Sequence, residues 1–136
     1  MKKLLVLGWL LLVCRGFSAD GVQVFQDGLR AFRDNGADAL LNTWYDARED
    51  SEKIAAIRAR LLTISRNLGP VIDTEVFRPR NLGKNLQRLH GVIYFEKRPL
   101  WFRSEYYSIN GRSGFISLEF SLSADDILPL TWATPN

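Results

Sequence analysis

Apolar side chains recur every three or four residues in the first half of this chain, which is the spacing of amphipathic helices. One such stripe ends at Gly36, a short apolar segment covers Ala37 to Trp44, and a further stripe ends at Leu68-Gly69-Pro70. The stripe residues are Val22, Phe25, Leu29 and Phe32 in the first case and Ile54, Ile57, Leu61, Ile64 and Leu68 in the last. Glycine and proline end helices, so we predict three helices before residue 70.

After Pro70 the period changes to two, which is typical of strands with one buried face. The predicted strands are Val71 to Phe77, Leu89 to Lys97, Leu100 to Ile109 and Phe115 to Leu122, with Arg78 to Leu86 as a loop. Turn signals at Lys97-Arg98-Pro99 and Asn110-Gly111 should join the last three strands into an antiparallel meander. The predicted fold is α+β, with N-terminal helices packed on a curved four-stranded antiparallel sheet.

The last strand alternates between an apolar row and a mixed row. The apolar row is Ile116, Leu118, Phe120 and Leu122, and the mixed row is Phe115, Ser117, Glu119 and Ser121. A two-residue turn at Asn110-Gly111 would place Arg103 and Glu105 beside the apolar row, whereas a three-residue turn with a glycine bulge would place Phe102 and Tyr106 there. Burying an ion pair is costly, so we predict the bulged turn, with Arg103 and Glu105 facing away from the helices.

Residues 1–19 have the features of a secretory signal peptide. Met1-Lys2-Lys3 is basic, Leu4 to Val13 is apolar, and small residues allow cleavage near Ser18 or Ala19. The apolar run is shorter than the ~20 residues of a membrane helix, so no stable membrane span is expected after cleavage. Residues 20–136 would then be a single domain in the periplasm or outside the cell.

Removal of the signal peptide also removes the excess of basic residues. That segment holds Lys2, Lys3 and Arg15, which leaves 15 basic (18 − 3) and 15 acidic residues. Because nucleic-acid binding needs a surplus of basic side chains, no nucleic-acid partner is expected. The only cysteine, Cys14, leaves with the same segment, so a disulfide or a cysteine-based site is excluded.

Several segments share a pattern of lengths, aromatic residues and turns. They are "LGPVIDTEVF" (68–77), "VIYFEKRPLWFRSEYYSINGR" (92–112), "FISLEFSL" (115–122) and "ILP" (127–129). This pattern resembles small bacterial exported domains of unknown function in the nuclear transport factor 2-like (cystatin-like fold) superfamily. The resemblance implies a sheet curved into a cone, frequent sheet-to-sheet dimers, and, in some members, isomerase-like chemistry inside the cone that uses a carboxylate and a tyrosine.

Two groups of residues are candidates for binding. The predicted outer sheet face carries His90, Tyr94, Trp101, Arg103, Glu105 and Tyr107. Mixtures of aromatic and charged side chains are common at interfaces, so this face is interpreted as a solvated surface, a homodimer seam or a ligand site. Trp44, Tyr45 and Tyr106 are the candidates for the mouth of the cavity between helices and sheet.

No catalytic residue set is recognisable. His90 is the only histidine, no Gly-x-Ser-x-Gly segment is present, and acidic residues lack the spacing of a metal site. His90 is therefore interpreted as a hydrogen-bonded strand residue, and no cofactor or metal is expected. We predict a non-catalytic exported domain that binds a second copy of itself, an envelope protein or a small apolar ligand. The alternative is an isomerase- or dehydratase-like enzyme that uses the cone cavity with Tyr106 as a donor.

Overall fold

A computed structural model describes residues 21–45 and 51–132 of the chain. Residues 21–35 form helix α1, followed by α2 (Ala37–Trp44) and α3 (Ser51–Leu68). Gly36 has a positive φ of 89° between the first two helices, and Gly69 has one of 83° after the third, so glycine permits both chain reversals. The three predicted helices are confirmed. The predicted signal peptide lies outside the described residues.

The sheet is antiparallel and contains five strands. They are β1 (Val71–Val76), β2 (Arg80–Asn81), β3 (Leu86–Phe95), β4 (Pro99–Ile109) and β5 (Arg112–Ser121). The strand order is β1-β3-β4-β5, and the short β2 also pairs with β3. The α+β class and the meander are confirmed, but β3 begins three residues earlier than predicted. Gln87 and Arg88, near the start of β3, pair with β2, which lies in the segment predicted to be a loop.

The face of the sheet that packs against the helices is called the inner face. It consists of Leu89, Gly91, Ile93, Leu100, Phe102, Ser104 and Tyr106, and the register places these residues side by side on β3 and β4. At Gly91 a Cβ atom would lie 2.7 Å from the Phe25 ring and 2.8 Å from Leu29. The missing side chain therefore allows α1 to approach the sheet closely, and this contact positions the helical layer.

The space between helices and sheet is filled by aromatic rings. Trp44 stacks on Phe25 with ring centroids 4.9 Å apart, and it also contacts Phe115 at 5.4 Å and Phe102 at 6.2 Å. The Trp44 Nε1 donates a hydrogen bond of 3.0 Å to the Val24 carbonyl, which satisfies its polar atom. Among the described residues, the space between the helices and the sheet is consequently filled by a packed core.

The turn between β4 and β5 has two residues, so the predicted three-residue turn is wrong. Ile109 pairs with Arg112, and Asn110 and Gly111 have φ values of 50° and 76°. Two successive positive φ angles at Asn-Gly are the signature of a tight hairpin turn whose twist matches that of the strands. If the strands alternated regularly from this turn onward, Arg103 would lie beside the apolar row of β5 and face the helices.

A bulge further along the hairpin prevents that outcome. Tyr106 pairs with Phe115, but Glu105 pairs with Ser117, so Ile116 is an extra residue in β5. Beyond it Phe102 pairs with Phe120, as predicted, and Arg103 and Glu105 face away from the three helices. The prediction for these two side chains is confirmed, although the extra residue lies at Ile116 and not at the turn.

The position of the bulge reverses the predicted roles of two neighbours. Phe115 was expected outside and Ile116 inside, yet Phe115 is only 4% exposed whereas Ile116 is 55% exposed. Between the turn and the bulge the alternation is shifted by one residue, so the aromatic ring joins the core. Leu118, Phe120 and Leu122, which follow the bulge, pack against the core as predicted.

Two alanine substitutions at neighbouring positions test this bulge. Phe115→Ala should lower the free energy of unfolding by about 3–5 kcal/mol because it removes a buried ring. Ile116→Ala should change it by less than about 1 kcal/mol because that side chain is largely in water. Urea unfolding of both variants and the parent measures the difference. Equal losses, or a larger loss for Ile116, would show that the alternation runs uninterrupted from the turn.

Candidate functional site

The opposite side of the sheet is partly covered by the C-terminal part of the described chain. This outer face consists of Arg88, His90, Val92, Tyr94, Trp101, Arg103, Glu105, Tyr107 and Glu119. Helix α4 (Ala124–Ile127) and a 3-10 turn (Leu130–Trp132) follow β5 and lie across it. Segment 123–132, as we call this cover, was only weakly patterned in sequence.

Polar contacts hold the beginning of segment 123–132 to the sheet. The Ser121 hydroxyl donates to Asp126 at 2.7 Å, and Arg103 Nη1 donates to the Ile127 carbonyl at 3.3 Å. Ile127 itself is buried. Asp125 and Asp126 fall in the first turn of α4.

Aromatic contacts hold the end of segment 123–132 to the sheet. Trp132 lies edge-on to His90 at 5.0 Å between ring centroids and to Phe77 at 6.0 Å. Phe77 in turn stacks on Trp101 at 6.2 Å. Together with Val92, which is fully buried, these rings form a second small core on the outer face. Trp132 is still 40% exposed, so it is the outermost layer of this cluster.

The six outer-face candidates lie on one face, as predicted, but they do not form one open site. Most of them are engaged in cross-strand contacts. Arg103 is paired with Glu119, Arg88 Nη2 donates to Glu105 at 2.8 Å, and the Tyr94 hydroxyl donates to Glu75 at 2.6 Å. The hydrogen bond to Glu75, with burial second, raises the pKa of Tyr94 to about 12. Only Tyr107 remains substantially exposed, at 38%.

His90 differs from its predicted state in two respects. It was expected on an accessible surface with a hydrogen bond, but it is fully buried and neither ring nitrogen has a partner within residues 21–45 and 51–132. Burial, followed by the charges of Arg103, Arg88 and Arg80, lowers its pKa to about 4. The imidazole is therefore neutral near pH 7 and gains no charge-assisted bond that would offset its burial.

A pocket of about 400 Å³ opens at the rim of the domain, where the β2–β3 hairpin faces the start of α1. We call it the rim pocket. Its lining residues are Gly21, Asn81, Gly83, Lys84, Asn85, Leu86, Gln87, Tyr106 and Ser108. Tyr106 is part of this lining, whereas the cavity predicted for it lay between the helices and the sheet. The hairpin that supplies most of the polar lining was predicted to be a loop. The run of Asn, Gly and Lys at residues 81–85 was the sequence feature that could have indicated a tight hairpin there.

Backbone and side-chain hydrogen bonds give the rim pocket a defined shape. Gln87 Nε2 donates to Asn81 at 3.2 Å, and the Ser108 backbone N–H donates to the Asn85 carbonyl at 2.9 Å. Amides, hydroxyls and one lysine are present, and no carboxylate is among the described lining residues. Such a lining can donate and accept hydrogen bonds, and within the described residues it offers no carboxylate as a general base.

The other two cavity-mouth candidates separate from Tyr106. Tyr45 lines a smaller pocket of about 290 Å³ between α3 and β5. Trp44 lies in the core at 4% exposure, so its assignment to the mouth is wrong. Its ring points back toward Gly28, where a Cβ would lie 1.9 Å from its Nε1.

Two further features bear on function. In the described part of the chain no group of three or more His, Cys, Asp or Glu side chains is arranged to hold a metal. Within those same ranges, every helix is too short or too polar to cross a lipid bilayer.

Comparisons with known proteins do not assign the chain to a family. No family model, curated protein or solved structure matches it. The resemblance to the nuclear transport factor 2-like superfamily therefore stays a prediction.

His90 should make stability depend on pH. Its pKa is about 4 in the folded chain against 6.5 ordinarily, so the unfolded chain binds the proton more tightly. Its contribution is complete above about pH 7 and is lost as the pH falls toward about 4, at about 1.4 kcal/mol per pH unit. The free energy of unfolding measured with urea should be about 2 kcal/mol lower at about pH 5 than at about pH 8 because of this group.

The variant His90→Leu is the matched control, because it places an apolar side chain that cannot titrate beneath Trp132. It should lack this part of the pH dependence. If the parent and His90→Leu lose the same free energy between the two pH values, His90 is not a buried neutral imidazole.

Proposed function

We propose that this chain is an exported, non-catalytic binding domain whose ligand site is the rim pocket. The observation that carries the proposal is the polar lining of that pocket, a partly enclosed space of about 400 Å³ in which amide, hydroxyl and lysine groups converge beside Tyr106. Binding sites for small molecules are commonly preformed concave spaces with a few placed polar groups. Export depends on the predicted signal peptide at residues 1–19.

The lining also indicates the class of ligand. Asn81, Asn85 and Gln87 offer both donors and acceptors, and Lys84 adds one positive charge. These groups fit a small polar molecule rich in hydroxyl or carboxyl oxygens better than the small apolar ligand expected from sequence. The space between the helices and the sheet, where an apolar ligand would bind, is occupied by Trp44, Phe102 and Phe115.

Nothing in the geometry favours the enzyme alternative. That alternative needs a cavity in which a carboxylate and Tyr106 reach the same ligand atom. The rim pocket contains Tyr106 but no carboxylate among its described lining residues, and the central space is packed. We therefore propose that the domain binds a ligand without catalysing a reaction. Its membership of the nuclear transport factor 2-like superfamily remains a hypothesis.

Adjacent tyrosines on opposite faces provide a test of the site. Tyr106 lines the rim pocket and Tyr107 lies on the outer face. We expect a nuclear magnetic resonance titration with millimolar monosaccharides, amino acids and hydroxy acids to shift the amide signals of Gly83, Asn85 and Ser108. Tyr106→Phe should weaken such binding about fivefold, the effect of about 1 kcal/mol for one hydrogen bond.

Tyr107→Phe is the control and should bind like the parent. Shifts confined to the outer face, or an equal effect of the two substitutions, would contradict the rim pocket as the ligand site. No shift with any member of the three ligand classes would likewise overturn the proposed ligand chemistry.

Self-association through the outer face is a further part of the proposal. Segment 123–132 covers the side of this face near Trp101, so the seam would lie at the exposed Tyr107 and the Arg88–Glu105 pair. Sedimentation velocity at tens of micromolar should show a dimer, and Tyr107→Ser should shift it toward monomer without changing the thermal midpoint by more than about 2 °C. A strictly monomeric parent chain would exclude this seam.

A further inference from the structure

Positive charge is concentrated on one part of the outer face. Arg80 of β2 lies directly opposite Arg88 of β3 in the strand register, and His90, two residues along β3, lies opposite Arg103 of β4. Residues two apart on a strand share a face, and directly opposite residues are close neighbours. Like charges in opposed positions repel, so this pairing of two arginines needs compensation.

Carboxylates in the sheet compensate only part of this charge. Glu105 is paired with Arg88, and Glu119 is paired with Arg103. Arg80 has no ion pair among the residues that the structure describes. The group therefore contains three guanidinium ions against two carboxylates. Segment 123–132 presents the uncharged Trp132 ring to His90, while its two carboxylates, Asp125 and Asp126, lie in α4, where Asp126 accepts a hydrogen bond from Ser121.

Buried nitrogen atoms without partners lie at the same place. Both ring nitrogens of His90 and the Nε of Arg88 are buried and lack hydrogen-bond partners in the described part of the chain. Such atoms are rare in folded proteins and commonly mark a place where a water or an ion binds. The Arg88 Nε–H is a donor, and a protonated His90 would supply two more.

We propose that Arg80, Arg88 and His90 form a binding site for a small oxyanion on the outer face, beneath the Trp132 ring. An oxyanion would accept hydrogen bonds from the unpartnered nitrogens and would neutralise the arginine that lacks a carboxylate partner. The site is separate from the rim pocket and does not depend on the proposed ligand there. Because His90 is fully buried in contact with Trp132, binding requires the Trp132 ring to move aside.

Binding should be coupled to protonation of His90. An anion next to the ring favours the imidazolium form, whereas the three arginines and burial oppose it. By linkage, an anion that raises the pKa of His90 binds more tightly as the pH falls. The proposed site is thus expected to be filled mainly under acidic conditions.

The single histidine makes this site directly measurable. Since His90 is the only histidine of the chain, its ring signals in a nuclear magnetic resonance titration report on this site alone. We expect sulfate, which stays ionised over the range, to raise the pKa of His90 by about one unit or more relative to chloride at equal ionic strength. That shift corresponds to about tenfold tighter binding of the anion by the protonated chain.

Two arginine variants separate a site from general charge effects. Arg80→Gln should reduce the anion-dependent pKa shift of His90 at least by half, because it removes the guanidinium that has no carboxylate partner. Arg30→Gln removes an equal charge from an exposed position on α1, away from this site, and should leave the shift unchanged. Both positions are exposed, so neither substitution should prevent folding.

A second readout tests the role of the covering ring. Trp132→Ala should tighten sulfate binding measured by calorimetry, because the ring no longer has to be displaced. Identical His90 pKa values in sulfate and in chloride at equal ionic strength would overturn the proposal. An equal response of the Arg80 and Arg30 variants would also overturn it, because the effect would then be non-specific screening.

Discussion

The arrangement of both sheet faces depends on one extra residue in β5. The Asn110-Gly111 turn alone would direct Arg103 and Glu105 into the helical layer, and burial of those charges would cost several kcal/mol per ion. The bulge at Ile116 restores the favourable alternation for every pair beyond it. Phe102, Phe115 and Trp44 can then meet in the core, and the charged residues are available to pair on the other side.

The helices and the strand order follow from sequence because they depend on local periodicity. The stripe from Ile54 to Leu68 and the alternation of β4 each repeat often enough to outweigh single exceptions. The identity of the buried neighbour in β5 could not be predicted in this way. A bulge adds one residue to a strand and leaves no recognisable mark in the amino-acid composition. Phe115 and Ile116 are both apolar, so either side chain could be the buried one.

The outer face shows a different limit of sequence-based prediction. His90, Trp101 and Arg103 were correctly placed together by the period of two, but their burial depends on residues far along the chain. Segment 123–132 contains apolar residues but no regular period, and the contacts of Ile127 and Trp132 with the sheet are long-range. The rim pocket was missed for a related reason, since it needs the pairing of Arg80 and Asn81 with β3.

The two irregular positions in the sheet also affect how the molecule meets its neighbours. Ile72 is an extra residue in β1, as Ile116 is in β5, and these strands form the two lateral borders of the sheet. A bulged border presents unevenly spaced backbone groups and a stronger local twist, so another strand cannot dock along it in register. Both isoleucines are exposed, but the irregular backbone beside them disfavours sheet extension, the contact from which fibril-like aggregation begins.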